Sequence, residues 1–372
     1  MERFDHVVVG GGAMGAATAW HLLRRGHSVA LIEQIDVAHD RGSSHGAVRI
    51  FRFAYRNPLY ASLAIEALAD WRELETESGR TLLEQIGQID HGVPGALAQI
   101  EAALRRHDRP IERLSAGQAR DRWPGMRFES DVLFSPDGGR VRADDTVRAL
   151  YDLVTQLGGT VLTGTRVEDI EVSGGIATVA TAQGTLRTPS VIVAAGAWVT
   201  KLVGHLVTLP PIAIDVGQPV HYQPRADFAE PTLWPSFIHH AVEAGGSSVV
   251  SGGAYGMWTP GEGVKIGKER PAEHPIDPDD RDFAIDPDWF AQSRDYAAEW
   301  FPGLDPDSGS AVTCLFTNTD DSDFILDRVG PLTVCSPCSG HGFKFVPAIG
   351  RLTADLACGS EQIVPEFRLP GR

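Results

Sequence analysis

The chain has only four cysteines in 372 residues, no basic stretch leading into an apolar segment, and no apolar run long enough to cross a bilayer. Each absence excludes a class. Cys314, Cys335, Cys338 and Cys358 are too few and too clustered for the disulfide framework of a secreted domain, so reduced thiols are expected. Cys335-x-x-Cys338 has the spacing of a redox pair but lies in a Pro-containing turn rather than at a helix start, which favours incidental small residues at a strand end. Without a signal peptide or a membrane span, a cytoplasmic protein is expected. Basic residues are in deficit, 33 Lys and Arg against 49 Asp and Glu, and the net charge of −16 argues against nucleic acid or an anionic membrane as partner. An acidic protein that handles an anion must gather its cations locally, so clusters of Arg, Lys and His mark the candidate site. No metal is expected.

What is present begins with a core: 42% hydrophobic residues over this length suggest two domains. Phe4 to Val9 reads as a strand that runs into Gly10-x-Gly12-x-x-Gly15, with Ala13 and Met14 inside the turn. A helix over Ala16 to Arg25 follows, then a strand over Ser28 to Ile32 that ends on Glu33. In this arrangement Gly10 permits the tight turn, Gly12 lets backbone approach a pyrophosphate, and Gly15 lets the helix pack on the strand. The helix N-terminus offers free N–H groups to the phosphates, and Glu33 is placed to accept hydrogen bonds from an unphosphorylated ribose. The motif does not distinguish FAD from NAD.

Cations first gather in Arg41-Gly42-Ser43-Ser44-His45-Gly46-Ala47-Val48-Arg49-Ile50-Phe51-Arg52. Arg49 and Arg52 stand three apart, on one face if the stretch is helical; a solvated basic loop is the plainer reading. Helices are expected over Pro58 to Glu75, Ala96 to His107, Asp144 to Gly158, Trp289 to Trp300 and Pro347 to Cys358. Thr165-Arg166-Val167 lies in a strand, and a meander over Ala177 to Val193 leads into Ala194-Ala195-Gly196-Ala197-Trp198, where Gly196 is a place that bulk would clash. Strands from Val220, Ser236 and Ser247 suggest a sheet able to form one wall of a pocket. On its residues alone, Lys265 in Gly263-Val264-Lys265-Ile266-Gly267 reads as a strand lysine turned to water. Pro271 to Asp288 is a Pro/Asp-rich connector without a core pattern, and the residues after Gly359 read as a surface tail.

The Gly-Ser-x-His-Gly-x-x-Arg-x-x-Arg segment, Gly263-x-Lys265-x-Gly267, Cys314 before Thr317-Asn318-Thr319, and Gly340-His341-Gly342-Phe343-Lys344 stand in the order found in one family. The chain resembles the monomeric sarcosine oxidase and N-methyltryptophan oxidase group of FAD-dependent amine oxidases, within the D-amino-acid oxidase-like superfamily. The resemblance covers nearly the whole chain. It implies an α/β fold: a Rossmann-type FAD-binding domain of the glutathione reductase/D-amino-acid oxidase kind, with a second α+β substrate domain on a mainly antiparallel sheet. The FAD domain would comprise residues 1–85, 141–215 and 321–372, and the substrate domain 86–140 and 216–320. Carried over residue by residue, the match implies FAD contacts at Gly10, Gly12, Ala13, Met14, Gly15, Glu33, Ser43, Ser44, His45, Arg49, Val167, Ala195, Gly196, Trp198, Gly340, His341, Gly342, Phe343 and Lys344, with Val167 meeting the adenine. Cys314 would carry the flavin covalently, and Lys265 would promote oxygen reduction, so that catalytic roles fall to Lys265, Arg49 and His45. Arg52 and Lys344 would pair with a substrate carboxylate.

Two departures limit the match: Phe316 replaces a tyrosine, and Glu269 replaces a histidine four residues after Lys265. With Tyr255, Met257 and Trp258 lining the pocket, they suggest an amino acid bulkier or more polar than sarcosine, cyclic or N-methylated. The expected reaction is oxidation of such a secondary amino acid to an imine, which water hydrolyses, with O₂ reduced to H₂O₂. A dehydrogenase that passes electrons to another acceptor, an NAD enzyme and a non-catalytic FAD module are the alternatives. The family implies a monomer.

Overall fold

The computed structural model describes residues 3–241, 253–268, 276–362 and 364–372. Glu269, the beginning of the strand expected from Ser247 and the beginning of the connector expected from Pro271 lie outside the described residues. The first sheet grows from the most β-branched segments of the chain. Its strands are His6–Val9 (β1), Val29–Ile32 (β2), Thr160–Leu162 (β3), Val191–Val193 (β4), Ile325–Val329 (β5) and Leu332–Ser336 (β6). They lie in the order β5-β6-β4-β1-β2-β3, all parallel to their neighbours except the antiparallel pair β5 and β6. Val7 and Val8, adjacent residues that face opposite sides, are both fully buried. A strand covered on both faces has no polar side to alternate with, which is why β1 reads as a run.

Helices Ala13–Arg24 (α1), Pro58–Ser78 (α2), Ala143–Gln156 (α3) and Val346–Ala357 (α4) pack on this sheet and on one another. Asn57 caps α2 by accepting the Leu59 N–H at 3.0 Å, Pro58 occupies its first turn, and Gly79 ends it at φ +67. A second sheet of eight strands runs in the order Ser310–Ala311, Val220–Tyr222, Gly263–Lys268, Ala254–Thr259, Ser236–His240, Gln88–Gly92, Val132–Ser135, Glu112–Leu114. It is antiparallel except where Ser236–His240 meets Gln88–Gly92. An apolar cluster that includes Trp234, Phe237 and Phe301 packs against it.

Three expectations are corrected. Val48–Phe51 is a strand, paired antiparallel with Gly139–Arg142, so Arg49 and Arg52 do not share a helical face. Val48, Ile50 and Phe51 prefer the pleated surface, and burial of Val48 and Phe51 enforces it. The meander over Ala177 to Val193 is split: Ile176–Thr181 and Gly184–Thr188 join Val167–Ser173 in a small antiparallel sheet, while β4 enters the parallel sheet. The segment after Gly359 is no surface tail. Phe367 and Leu369 are buried, Phe367 within 6.0 Å of Tyr60 ring to ring, and the Leu369 N–H donates to Asp327.

Candidate active site

A single cavity of about 1140 Å³ begins above the carboxyl end of β1 and runs to the second sheet. Of the described residues that the sequence assigns to the cofactor or substrate site, all but Gly15 and Trp258 border it. Gly15 lies beneath, where a Cβ would stand 1.9 Å from the Gly10 carbonyl oxygen. Gly10 itself holds φ +98, with Ala194 backbone 2.5 Å from any added Cβ. The turn is therefore fixed by backbone contact on both counts. Helix α1 starts at Gly12 without a side-chain cap, and its first N–H, from Ala13, donates to Ser44 Oγ at 3.1 Å.

Glu33, at the end of β2, is 4% exposed and is held by the protein before any ligand arrives. Its two carboxylate oxygens accept the Gly11 and Ile35 N–H groups, both at 2.9 Å, and His39 Nε2 stands 3.3 Å away. Lone pairs remain on both oxygens for a ribose hydroxyl. Gly196 differs from its expectation: a Cβ there meets nothing within 4 Å, and its φ of +52 is what favours glycine. Gly342 also serves the protein itself, because a Cβ would stand 1.7 Å from the Pro337 carbonyl oxygen. Gly340, at φ +73, lies against the Phe316 ring.

At the other end the cavity is lined with desolvated cations. Strand alternation places Tyr255, Met257 and Lys265 on the cavity side, while Trp258 turns to the opposite face and joins the apolar cluster there. Lys265 is 5% exposed, not solvated, and donates to the Val48 carbonyl at 3.2 Å. Burial first, then the Arg49 guanidinium, pushes its pKa down to about 7. Arg49 donates to the carbonyls of Val48, Ser43 and His45, so it fastens the loop that carries Ser43 and Ser44. His45 is driven down to about 3 by burial, then by Arg49, Arg281 and Lys265, and is neutral. Its Nε2 is buried without a hydrogen-bond partner among the described residues.

Arg52 lies over the Tyr55 ring at 4.7 Å, and Lys344 over the same ring at 5.5 Å. Lys344 donates to the His341 carbonyl at 2.7 Å, while burial and then Arg52 hold its pKa well below the usual lysine range. His341 borders the cavity, but its Nε2 lies 3.0 Å from the Ser322 carbonyl and its ring stacks on Phe324. The histidine thus anchors the loop from inside the core. Cys314 is buried on the strand Cys314–Thr319, paired with Ile212–Gly217. Burial raises its pKa, and Arg49, Lys265 and Arg281 oppose the rise.

Two residues here were not found by reading the sequence. Arg281, in the segment taken as a plain connector, is 8% exposed and donates to the carbonyls of Asp40, Arg41 and Thr313, next to Cys314. It has no periodic neighbours that could have flagged it. His221 pairs with Lys265 across strands, and its Nε2 stands 3.0 Å from Glu262 Oε2; burial and the Lys265 charge keep it neutral, with a pKa of about 3.

The cavity fits a dinucleotide flavin on grounds internal to the protein. It has the volume, a helix start whose N-cap glycine offers no side chain, an imidazole whose buried Nε2 has no partner among the described residues, and a buried thiol near three cations. A family model described as FAD dependent oxidoreductase matches residues 5–356. Monomeric sarcosine oxidase of Bacillus sp. (strain NS-129) is 31% identical over 370 residues, covering 95% of this chain and 93% of that protein. N-methyl-L-tryptophan oxidase of Yersinia pestis (strain Pestoides F) is 28% identical over 95% of each. The crystal structure of NikD, an unusual amino acid oxidase essential for nikkomycin biosynthesis, is similar at 27% identity with a TM-score of 0.87, covering 99% of this chain and 98% of that one.

Proposed function

Because the chain belongs to the FAD-dependent oxidoreductase family, we propose that it oxidises a secondary amino acid, N-methylated or cyclic, at the cation-lined end of its cavity. The observation that carries this reading is the pairing of Arg52 and Lys344 on one tyrosine, two basic side chains that both border the cavity. Guanidinium offers two parallel donors and ammonium a point charge, a set that suits one carboxylate. Arrival of that carboxylate would favour the charged form of Lys344, which burial disfavours. The amine must enter unprotonated, since a nitrogen without a lone pair cannot assist loss of the C–H bond. Phe316, wedged against Gly340, and Met257 give the pocket an apolar wall that accommodates a ring or an N-methyl group.

Bound FAD supplies the two-electron acceptor and returns the electrons to O₂, giving H₂O₂ and an imine that water hydrolyses. Lys265 presents its ammonium where negative charge develops as O₂ is reduced. Arg49 and Ser44 hold the loop over the dinucleotide, and Arg281, Arg49 and Lys265 favour the thiolate of Cys314, the proposed point of covalent attachment. The division into an FAD domain over 1–85, 141–215 and 321–372 and a substrate domain over 86–140 and 216–320 is part of the same proposal. So are a monomeric state and a cytoplasmic location; no helix among the described residues is long and apolar enough to cross a membrane.

Oxygen uptake with a panel of N-methylated and cyclic amino acids tests the reading. Turnover is expected, with H₂O₂ formed in equal amount and lost when the carboxylate is removed from the substrate. Turnover of plain amines but of no amino acid would overturn it, and reduction of an artificial acceptor without oxygen uptake would turn it into a dehydrogenase.

A further inference from the structure

At the amino-terminal edge of the parallel sheet, three donor-bearing side chains converge outside the cavity. His6 opens β1, His27 lies in the turn between α1 and β2, and Cys358 follows the last residue of α4. One ligand atom from each, a ring nitrogen of both histidines and the Cys358 sulfur, lies within 4.8 Å of the other two. Cys358 Sγ is 3.4 Å from His27 Nε2, close to the edge of a tetrahedron with metal–nitrogen and metal–sulfur bonds of about 2.1 and 2.3 Å. His6 is 4% exposed, and its Nδ1 has no hydrogen-bond partner among the described residues. An imidazole so placed is costly unless something occupies it. Arg25 brings its guanidinium within 3.9 Å of the sulfur.

We propose that His6, His27 and Cys358 form a zinc site, with water in the fourth position beside the exposed cysteine. Two imidazoles and a thiolate suit a borderline-soft divalent ion and do not suit Mg²⁺ or Ca²⁺, which take oxygen ligands. Ligation releases the Cys358 proton to solvent and adds a direct link between three chain segments that strand pairing of β1 with β2 and the Arg25–Asp355 ion pair at 2.8 Å already hold together. One of them is the C-terminus of α4, a 12-residue helix whose other end begins two residues after Lys344. The ion would steady that helix from about 18 Å away without touching substrate.

The test uses the flavin-loaded enzyme after dialysis against a chelator, with Zn²⁺ alone or Co²⁺ alone added back. One equivalent of Zn²⁺ per chain is expected to saturate a rise of a few degrees in Tm. Co²⁺ is expected to give d–d absorption at wavelengths beyond those of the flavin. Both signals should vanish in Cys358→Ser and weaken in His27→Ala, while flavin content and turnover of the variants stay at the wild-type level. Absence of both signals in the wild type, or their persistence in Cys358→Ser, overturns the site.

Discussion

The two ends of the cavity are built on different principles. The end near α1 is made of backbone: glycines pressed on carbonyls, a helix start, and an acid whose oxygens are already bonded to N–H groups. Its parts lie within one stretch of about thirty residues, so local sequence specifies it. The opposite end is made of side-chain charge. Arg49, Arg52, Lys265, Arg281 and Lys344 come from four separated segments and are desolvated together, so that two lysines are shifted downward and a histidine is neutralised. A backbone site tolerates almost no added atom. A charge site tolerates conservative changes of shape but responds to every change of charge or proton.

That contrast can be broken at its strongest point by Gly15→Val. The added atoms meet the Gly10 carbonyl, and neither α1 nor β1 can move away, so soluble yellow protein should be lost altogether; recovery of flavin-loaded protein with wild-type Tm would show that the turn is less constrained than its contacts imply. Lys265→Met should come next, with the rate of reoxidation by O₂ falling about 10²-fold or more while reduction by substrate changes much less, as stopped-flow would read. The same experiment carries a pH signature. Lys265 is protonated below about 7, so the wild-type reoxidation rate should fall as pH rises through that value, and the variant should be flat.

Arg52→Ala or Lys344→Ala should lower kcat/KM about 10- to 100-fold, the worth of one charge-assisted hydrogen bond, with the larger part in KM. Equal losses for a substrate ester would move the carboxylate elsewhere. Arg281→Met should lower the fraction of flavin that stays with acid-precipitated protein, whereas Cys314→Ser should release all of it. An unchanged covalent fraction in Arg281→Met would confine that residue to holding the Asp40–Arg41 loop. The smallest effect is expected of Met257→Ala, a shift of a few-fold in preference toward bulkier substrates, without change in Tm beyond a few degrees.

The nucleotide end and the family were legible in the sequence, because these rest on features that are local in the chain: a β-branched strand, glycines at fixed spacing, a proline in a first helical turn such as Pro58, and short motifs around Lys265, Cys314 and Lys344. Burial of the charges was another matter. Lys265 alone on its strand looked like a solvated residue, and only the closing of Val48–Phe51 over it takes it out of water. Arg281 was hidden in a connector because its partners are carbonyls at Asp40, Arg41 and Thr313, which leave no mark on side-chain pattern. The C-terminal segment gives no sign of its burial for a similar reason, since Phe367 and Leu369 are too few to show a period, yet Phe367 packs on Tyr60 and Phe324 and Leu369 joins the separate apolar cluster that includes Val7 and Ile325. Which cations are desolvated, and that Cys358 meets His6 and His27 at all, follow from the tertiary structure, because Lys265 with Val48, Arg281 with Asp40 and Cys358 with His27 are contacts across hundreds of residues that no periodicity records.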